Sequence, residues 1–283
     1  MLLSREILES FGLQGEAVPL KGGQNTSVKV QDAVLKPSEN EQHDEWVLGI
    51  MHGLQPRGYR VSRPVPARNG SFVSDGWTCS RFEPGTEVQG GLEQKLKVAR
   101  LFHRDLASIP YDGFSEPDHP WSRGHRIAWQ IEGLPAGFPF PVRDFLAGLL
   151  GKVKRSGEYP VQLIHGDLAG NILFDETLGP LIIDFSPTVA PQAYAEAILV
   201  CDGIAWQGCP LLDLGLLPDD SHYREMLLRA VIFRLSVSAI FCGEDTERFF
   251  TEVEAFGPII EHLASFPCWC GILQDEQTPY YRP

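Results

Sequence analysis

The sequence predicts an α+β protein of two lobes, a small β-rich lobe over residues 1–83 and a larger helical lobe over 84–283. Three observations carry that expectation. From Val28 to Phe82, short apolar runs alternate with Gly and Pro punctuation, including Pro64, Pro66 and an Asn69-Gly70 turn, which is the chemistry of strands and tight turns. From Leu92 the period changes, and Leu92, Leu96, Ala99, Phe102 and Leu106 recur at helical spacing. Between Val161 and Phe185, three short apolar runs separated by turn residues read as strands inside otherwise helical sequence. A chain of 283 residues with 43% apolar content can bury a core in each lobe.

Taken in order, Leu20 to Val30 reads as a strand, a Gly22-Gly23 turn and a second strand, with Ala33 to Lys36 as the next strand. Glu41 to Leu54 is a helix whose inner face carries Trp46, Leu48 and Met51. Trp77 to Phe82 is a strand. The helix beginning at Leu92 buries its apolar stripe and turns Lys95, Lys97 and Arg104 toward water. Pro110 to Pro141 reads as irregular, and Asp144 to Lys154 as a helix. Strands follow at Val161 to Ile164, Asn171 to Asp175 and Leu181 to Ile183, the last two joined by a turn at Thr177 to Pro180. Helices are expected at Gln192 to Trp206, Tyr223 to Phe241 and Glu247 to Ala264, with no internal repeat.

The chemistry-bearing segment is His165-Gly166-Asp167-Leu168-Ala169-Gly170-Asn171, followed by Ile182-Ile183-Asp184-Phe185. Two carboxylates and a carboxamide at strand ends can converge on one ion. Magnesium prefers an octahedron of oxygens and takes one or two carboxylates or carboxamides from a protein, leaving the rest to water and phosphate. Asn171 and Asp184 suit that role. Asp167 suits the orientation of an attacking hydroxyl and the late acceptance of its proton. His165 is expected to brace the loop through hydrogen bonds. Competing chemistries fail on spacing: Gly151-Lys152 is followed by Val153 where a Walker-type loop needs Ser or Thr, and no G-x-G-x-x-G or G-x-S-x-G occurs.

These segments resemble the catalytic and metal-binding segments of the aminoglycoside phosphotransferases, the small-molecule branch of the protein-kinase-like fold. Further pieces match in the family's order from about Leu20 to Asp184. Gly22, Gly23 and Asn25 resemble the turn that covers the nucleotide, and Lys36 the phosphate-contacting lysine. Glu45 would be that lysine's partner, with Glu41 in reserve. Ser80, Arg81 and Phe82 resemble the hinge against which adenine lies. The resemblance implies a bilobal kinase-like enzyme holding ATP or GTP with magnesium between its lobes, and moving the γ-phosphate to a hydroxyl of a small molecule. In that scheme Asp167 is catalytic and Asn171 and Asp184 hold the metal. The sequence departs from the family at two places. Only Leu168, Ala169 and Gly170 separate Asp167 from Asn171, where the family has four residues, and Tyr194 stands where the family has a structural Asp. A shortened loop leaves open a second expectation, a nucleotide-binding sensor or scaffold without catalysis.

The formal charge of -13 argues against a nucleic-acid binder, which would show a basic face, and suits a cationic acceptor such as an amino sugar. Among the C-terminal acids, Glu196, Asp202 and Asp213 are candidates to meet it. Met226 to Cys242 is the most apolar stretch and is interrupted by Arg229 and Arg234, so no membrane span and no export signal are expected. Scattered cysteines, with Cys268-Trp269-Cys270 lacking a zinc-knuckle gap, point to a cytoplasmic protein.

Overall fold

The structure, a computed structural model, describes residues 3–20, 26–112, 114–153 and 159–266. Gly22, Gly23 and Asn25, together with Cys268 and Cys270, lie outside the described residues. The architecture is mixed α+β, with a β-sheet N-terminal region and a larger helical C-terminal region, as the sequence predicts. The chain forms two compact units. The first comprises Met1–Val88, Gln94–Pro117 and Gln162–Val189, and the second Gln89–Glu93, Asp118–Val161 and Ala190–Pro283.

In the first unit an antiparallel sheet runs β1 (Val18–Pro19), β2 (Val28–Val30), β3 (Ala33–Pro37), β6 (Trp77–Arg81), β5 (Val73–Ser74) in spatial order. Strand alternation gives it two chemically distinct faces. Val30, Ala33, Leu35, Trp77 and Cys79 pack into a core with Ile7 and Phe11 around α1 (Arg5–Ser10), a helix the sequence reading did not anticipate. Lys29, Val34, Lys36, Thr78 and Ser80, joined by the cross-strand pairs Lys29↔Val34, Val34↔Ser80 and Lys36↔Thr78, take the opposite face. The β5–β6 turn is built by Asp75 at φ 50° and Gly76 at φ 74°, the positive dihedrals that a two-residue hairpin needs.

After β3, α2 (Glu41–Gly53) opens on Asn40, whose side chain accepts from the His43 N–H. Arg63 closes it by donating to the carbonyls of Met51, His52 and Leu54. A second sheet follows the order β4 (Arg60–Val61), β10 (Leu181–Ile182), β9 (Ile172–Phe174), β7 (Thr86–Glu87). β8 (Gln162–His165) pairs with β11 (Pro187–Ala190). The three strands expected between Val161 and Phe185 are therefore β8, β9 and β10. Most of α3 (Leu92–Leu106) also belongs to this unit.

The second unit is helical, with α4 (Pro120–Ala128), α5 (Phe140–Leu150), α6 (Gln192–Trp206), a 3-10 turn at Leu211–Leu216, α7 (Ser221–Cys242) and α8 (Thr246–Ala264). α4 corrects the expectation of an irregular stretch. Pro120 occupies the first helical turn, where a missing N–H costs nothing, and Gly124 lets α4 approach α7 so closely that a Cβ there would lie 2.5 Å from Val237 Cγ2. Gly and Pro, read as loop formers, are here a helix start and a packing contact. Arg229 and Arg234, which interrupt the apolar run of α7, are each 5% exposed and ion-paired inside the unit. Among the described residues no helix is long and apolar enough to cross a membrane.

Candidate active site

The turn between β8 and β9 is held from both sides by histidines. The His165 N–H donates to His103 Nε2 at 3.1 Å, and His165 Nδ1 accepts the Asp167 N–H at 3.1 Å. Each accepting ring nitrogen must carry a lone pair, so the proton of His165 sits on Nε2, which faces the Ile183 carbonyl at 3.3 Å. His103 is fully buried. Burial, and secondarily the repulsion between the two imidazoles when both are protonated, push its pKa down to about 3, so it stays neutral and able to accept. The expected bracing role of His165 is thus the geometry observed, with His103 as a second brace that the sequence reading missed.

Asn171 closes the turn. Its N–H donates to Leu168 O at 3.1 Å, its carbonyl accepts the Ile183 N–H at 3.0 Å, and its Nδ2 donates to Asp167 O at 2.7 Å. A carbonyl can only accept, so the amino end of the carboxamide is the one facing Asp167, and Oδ1 is left for another partner. Nδ2 also lies 3.5 Å from Asp167 Oδ2. One hydrogen-bonded path therefore links Asp167 through Asn171 to Ile183, the residue before Asp184, and the shorter loop still delivers Asn171 to Asp167.

Asp184 adopts φ 47°, a left-handed conformation that Asp tolerates better than most residues. Phe185 anchors it, packing edge-on against His165 at 5.6 Å and Phe102 at 5.3 Å. Lys36 Nζ lies 3.3 Å from Asp184 Oδ1, both side chains being about half exposed. The sheet alternation that buries Leu35 turns Lys36 to this side.

Glu45 is not brought to Lys36, which corrects the expected pair. Its carboxylate accepts from Ser71 Oγ and from the N–H groups of Phe72 and Val73 at 2.6–3.1 Å. Burial pushes its pKa up, but these hydrogen bonds outweigh it and hold the carboxyl below its ordinary value. Glu41, the reserve, lies exposed in the first turn of α2. At the expected hinge, the Arg81 N–H is taken by Arg63 O at 2.8 Å and the Phe82 N–H by Asp32 O at 2.9 Å. Ser80 shares the Lys36 face with Val34, and Phe82, 40% exposed, carries Lys29 Nζ 3.5 Å above its ring. Val18, paired with Lys29, extends the same face at 59% exposure.

The segment expected as the hinge is stitched to the β9–β10 hairpin. Arg60 donates to Glu83, to Pro84 O and to Gly179 O, each at 2.8 Å, and β7 pairs with β9. Gly85 packs so tightly on β9 that a Cβ would stand 2.8 Å from Leu173 Cβ.

Of the acids expected to meet an acceptor, Asp202 is 1% exposed and paired with Arg234, and Glu196 is 2% exposed and held by Gln192 and Tyr223. Both are structural. Asp213 stays half-buried on the 3-10 turn. Tyr194, the family's Asp position, is a core residue whose hydroxyl meets His125 Nδ1 at 3.1 Å. Lys95, expected in water, is 0% exposed and donates to Ala169 O at 3.0 Å inside the turn between β8 and β9.

No model of a protein family matches the chain, and no curated protein matches its sequence. Solved structures do match. The apo form of a thermostable mutant of aminoglycoside phosphotransferase APH(4)-Ia aligns at TM-score 0.61 and 15% identity, over 93% of this chain and 100% of that one. Spectinomycin phosphotransferase APH(9)-Ia, in complex with ADP and spectinomycin, aligns at 0.55 and 16%, over 93% and 94%. The GDP complex of aminoglycoside 2'-phosphotransferase-IIIa aligns at 0.55 and 15%, over 91% and 96%. At such identities the likeness establishes the fold, which is that of the aminoglycoside phosphotransferases.

Proposed function

We propose that the chain is a small-molecule kinase that transfers the γ-phosphate of ATP or GTP to a hydroxyl of its acceptor. The observation that carries the reading is the path from Asp167 through Asn171 to the Ile183-Asp184 strand end, with Lys36 on Asp184, in this fold. Both nucleotide types occur among the fold's relatives, which hold AMP-PNP with hygromycin B, ADP with spectinomycin, or GDP. Residues 1–83 would form the nucleotide lobe and hinge, and 84–283 the catalytic and substrate lobe.

The donor set suits magnesium: Asn171 Oδ1 and the Asp184 carboxylate are two hard oxygens, the number such a site takes from protein when phosphates and water supply the rest. When bound, the ion would neutralise charge on the β- and γ-phosphates. Asp167 orients the acceptor hydroxyl and takes its proton as the new bond forms. Lys36, released from Asp184, steadies the phosphates. The base would lie on the sheet face of Val18, Val34 and Ser80, its hydrogen bonds coming from backbone other than the occupied Arg81 and Phe82 N–H groups. Gly22, Gly23 and Asn25 would cover the phosphates. The acceptor remains a small hydroxyl-bearing molecule, its cationic character favoured by the net charge of -13 alone. We place the enzyme in the cytoplasm, away from nucleic acid and membrane.

The experiment is thermal-shift screening with nucleotides and magnesium, then turnover on a panel of amino sugars and polyols. Asp167→Asn should keep nucleotide-linked stabilisation and lower kcat by about 10²–10⁴-fold. A second reading, a nucleotide sensor, draws support from Glu45, which is bound away from Lys36. Nucleotide binding without turnover on any acceptor would select it.

A further inference from the structure

Lys95 carries its amine inside the protein. A lysine is almost never fully buried without compensation, since removing its ammonium from water is costly, yet Lys95 is 0% exposed. Its position on α3 supplies the reason. Lys95, Ala99 and His103 recur every fourth residue and so lie in one row along the helix, and the small Ala99, also 0% exposed, separates the two polar ends. At one end Lys95 Nζ donates to Ala169 O at 3.0 Å, and at the other His103 Nε2 accepts the His165 N–H at 3.1 Å.

We propose that Lys95 is a positioning residue for the catalytic turn: it fixes Ala169 so that the shortened link from Asp167 to Asn171 keeps both side chains on one site. The consequence for rate rests on the phosphotransferase reading; the tie itself does not. With three residues between Asp167 and Asn171, the Asn171 N–H closes on Leu168 O and the next carbonyl, Ala169 O, points inward in a residue 6% exposed. A buried carbonyl needs a donor, and Lys95 Nζ supplies one here. Gly170 follows and constrains nothing. Without Lys95 the turn keeps its ties at Asp167 and Asn171 but loses the one at Ala169, between them, and the Asn171 carboxamide is less firmly aimed.

The test uses the full chain with Lys95→Met, which keeps the stem and removes the donor, and Lys95→Gln, which keeps a shorter neutral donor. Hydrogen exchange of the Gly166 to Asn171 amides is read beside steady-state MgATP turnover. Lys95→Met should exchange faster in that turn alone, with kcat down about 100-fold, the scale of a 1 Å misplacement, and KM for MgATP raised because Asn171 is one of the ion's two protein ligands. Lys95→Gln should recover part of both. Unchanged exchange in Lys95→Met, or faster exchange across the whole chain in both variants, would overturn the assignment. If Lys95→Met does not fold, a folded Lys95→Gln with a protected turn supports the tie and one with an unprotected turn and normal kcat refutes it. Absence of turnover in the unsubstituted protein would remove the phosphotransferase reading while the exchange comparison still decides the role of Lys95.

Discussion

His103 shows how a single side chain can hold the turn between β8 and β9 and set a pH limit on the fold. It accepts from the His165 N–H only while neutral, and burial, aided by repulsion between the two imidazoles when both are protonated, has moved its pKa from 6.5 to about 3. In the unfolded chain the same imidazole takes a proton below pH 6.5. Between those values the unfolded state binds the extra proton, so stability falls as pH falls, by up to about 1.4 kcal/mol per pH unit for this group. Above pH 6.5 the group contributes no slope. His103→Gln retains an acceptor for the His165 N–H and cannot titrate. Urea midpoints measured from pH 7 to pH 4 should fall less steeply in that variant, and parallel curves for the two proteins would show that His103 is not the group responsible. At this scale the sequence announced Asp167, Asn171 and Asp184 by residue type and order, and the structure ties them into one hairpin. It could not announce His103 or Lys95, because an imidazole or an ammonium on a helix carries no mark of which turn it will face until the tertiary contact exists.

At the scale of elements, legibility followed local chemistry. β8, β9 and β10 were readable because short apolar runs bounded by Gly, Asn and Pro have few alternatives. α4 was hidden by the same rule, since Pro120 and Gly124 serve a helix start and a close helix contact. Glu45 lay where the lysine's partner belonged in sequence order, but α2 places it beside β5 and commits it to the turn at Ser71 to Val73. Glu45→Gln should therefore act as a stability variant. Losing charge-assisted bonds to half-buried N–H groups costs about 1–3 kcal/mol, while kcat and KM for nucleotide stay near their original values. Lys36→Ala, by contrast, should raise KM for nucleotide with little loss of stability, because its partnership with Asp184 is half exposed. A Glu45→Gln enzyme with the kinetic defect of Lys36→Ala would mean that Glu45 leaves its turn when nucleotide binds.

For the whole molecule, composition described the charge but not its address. A net charge of -13 invited the C-terminal acids into an acceptor site, yet Asp202 and Glu196 are inside the helical unit. There Asp202 meets Arg234, while Glu225 pairs with Arg229 and accepts from Tyr159, and the Arg229 guanidinium also donates to Ala128 O and sits 4.3 Å above the Trp129 ring. These pairs explain how α7 can be buried along most of its length although two arginines interrupt its apolar run. They also separate stability from recognition in a measurable way. Removing one partner of a buried pair strands the other charge at a cost of about 3–5 kcal/mol. Asp202→Ala should lower the unfolding free energy by that amount, read from urea midpoints. Asp202→Ala with Arg234→Met, which removes both charges, should recover most of it, and neither should change KM for an acceptor at a temperature where the protein is folded. A raised acceptor KM in a fully folded Asp202→Ala protein would return Asp202 to the substrate site and place the cationic acceptor against α6.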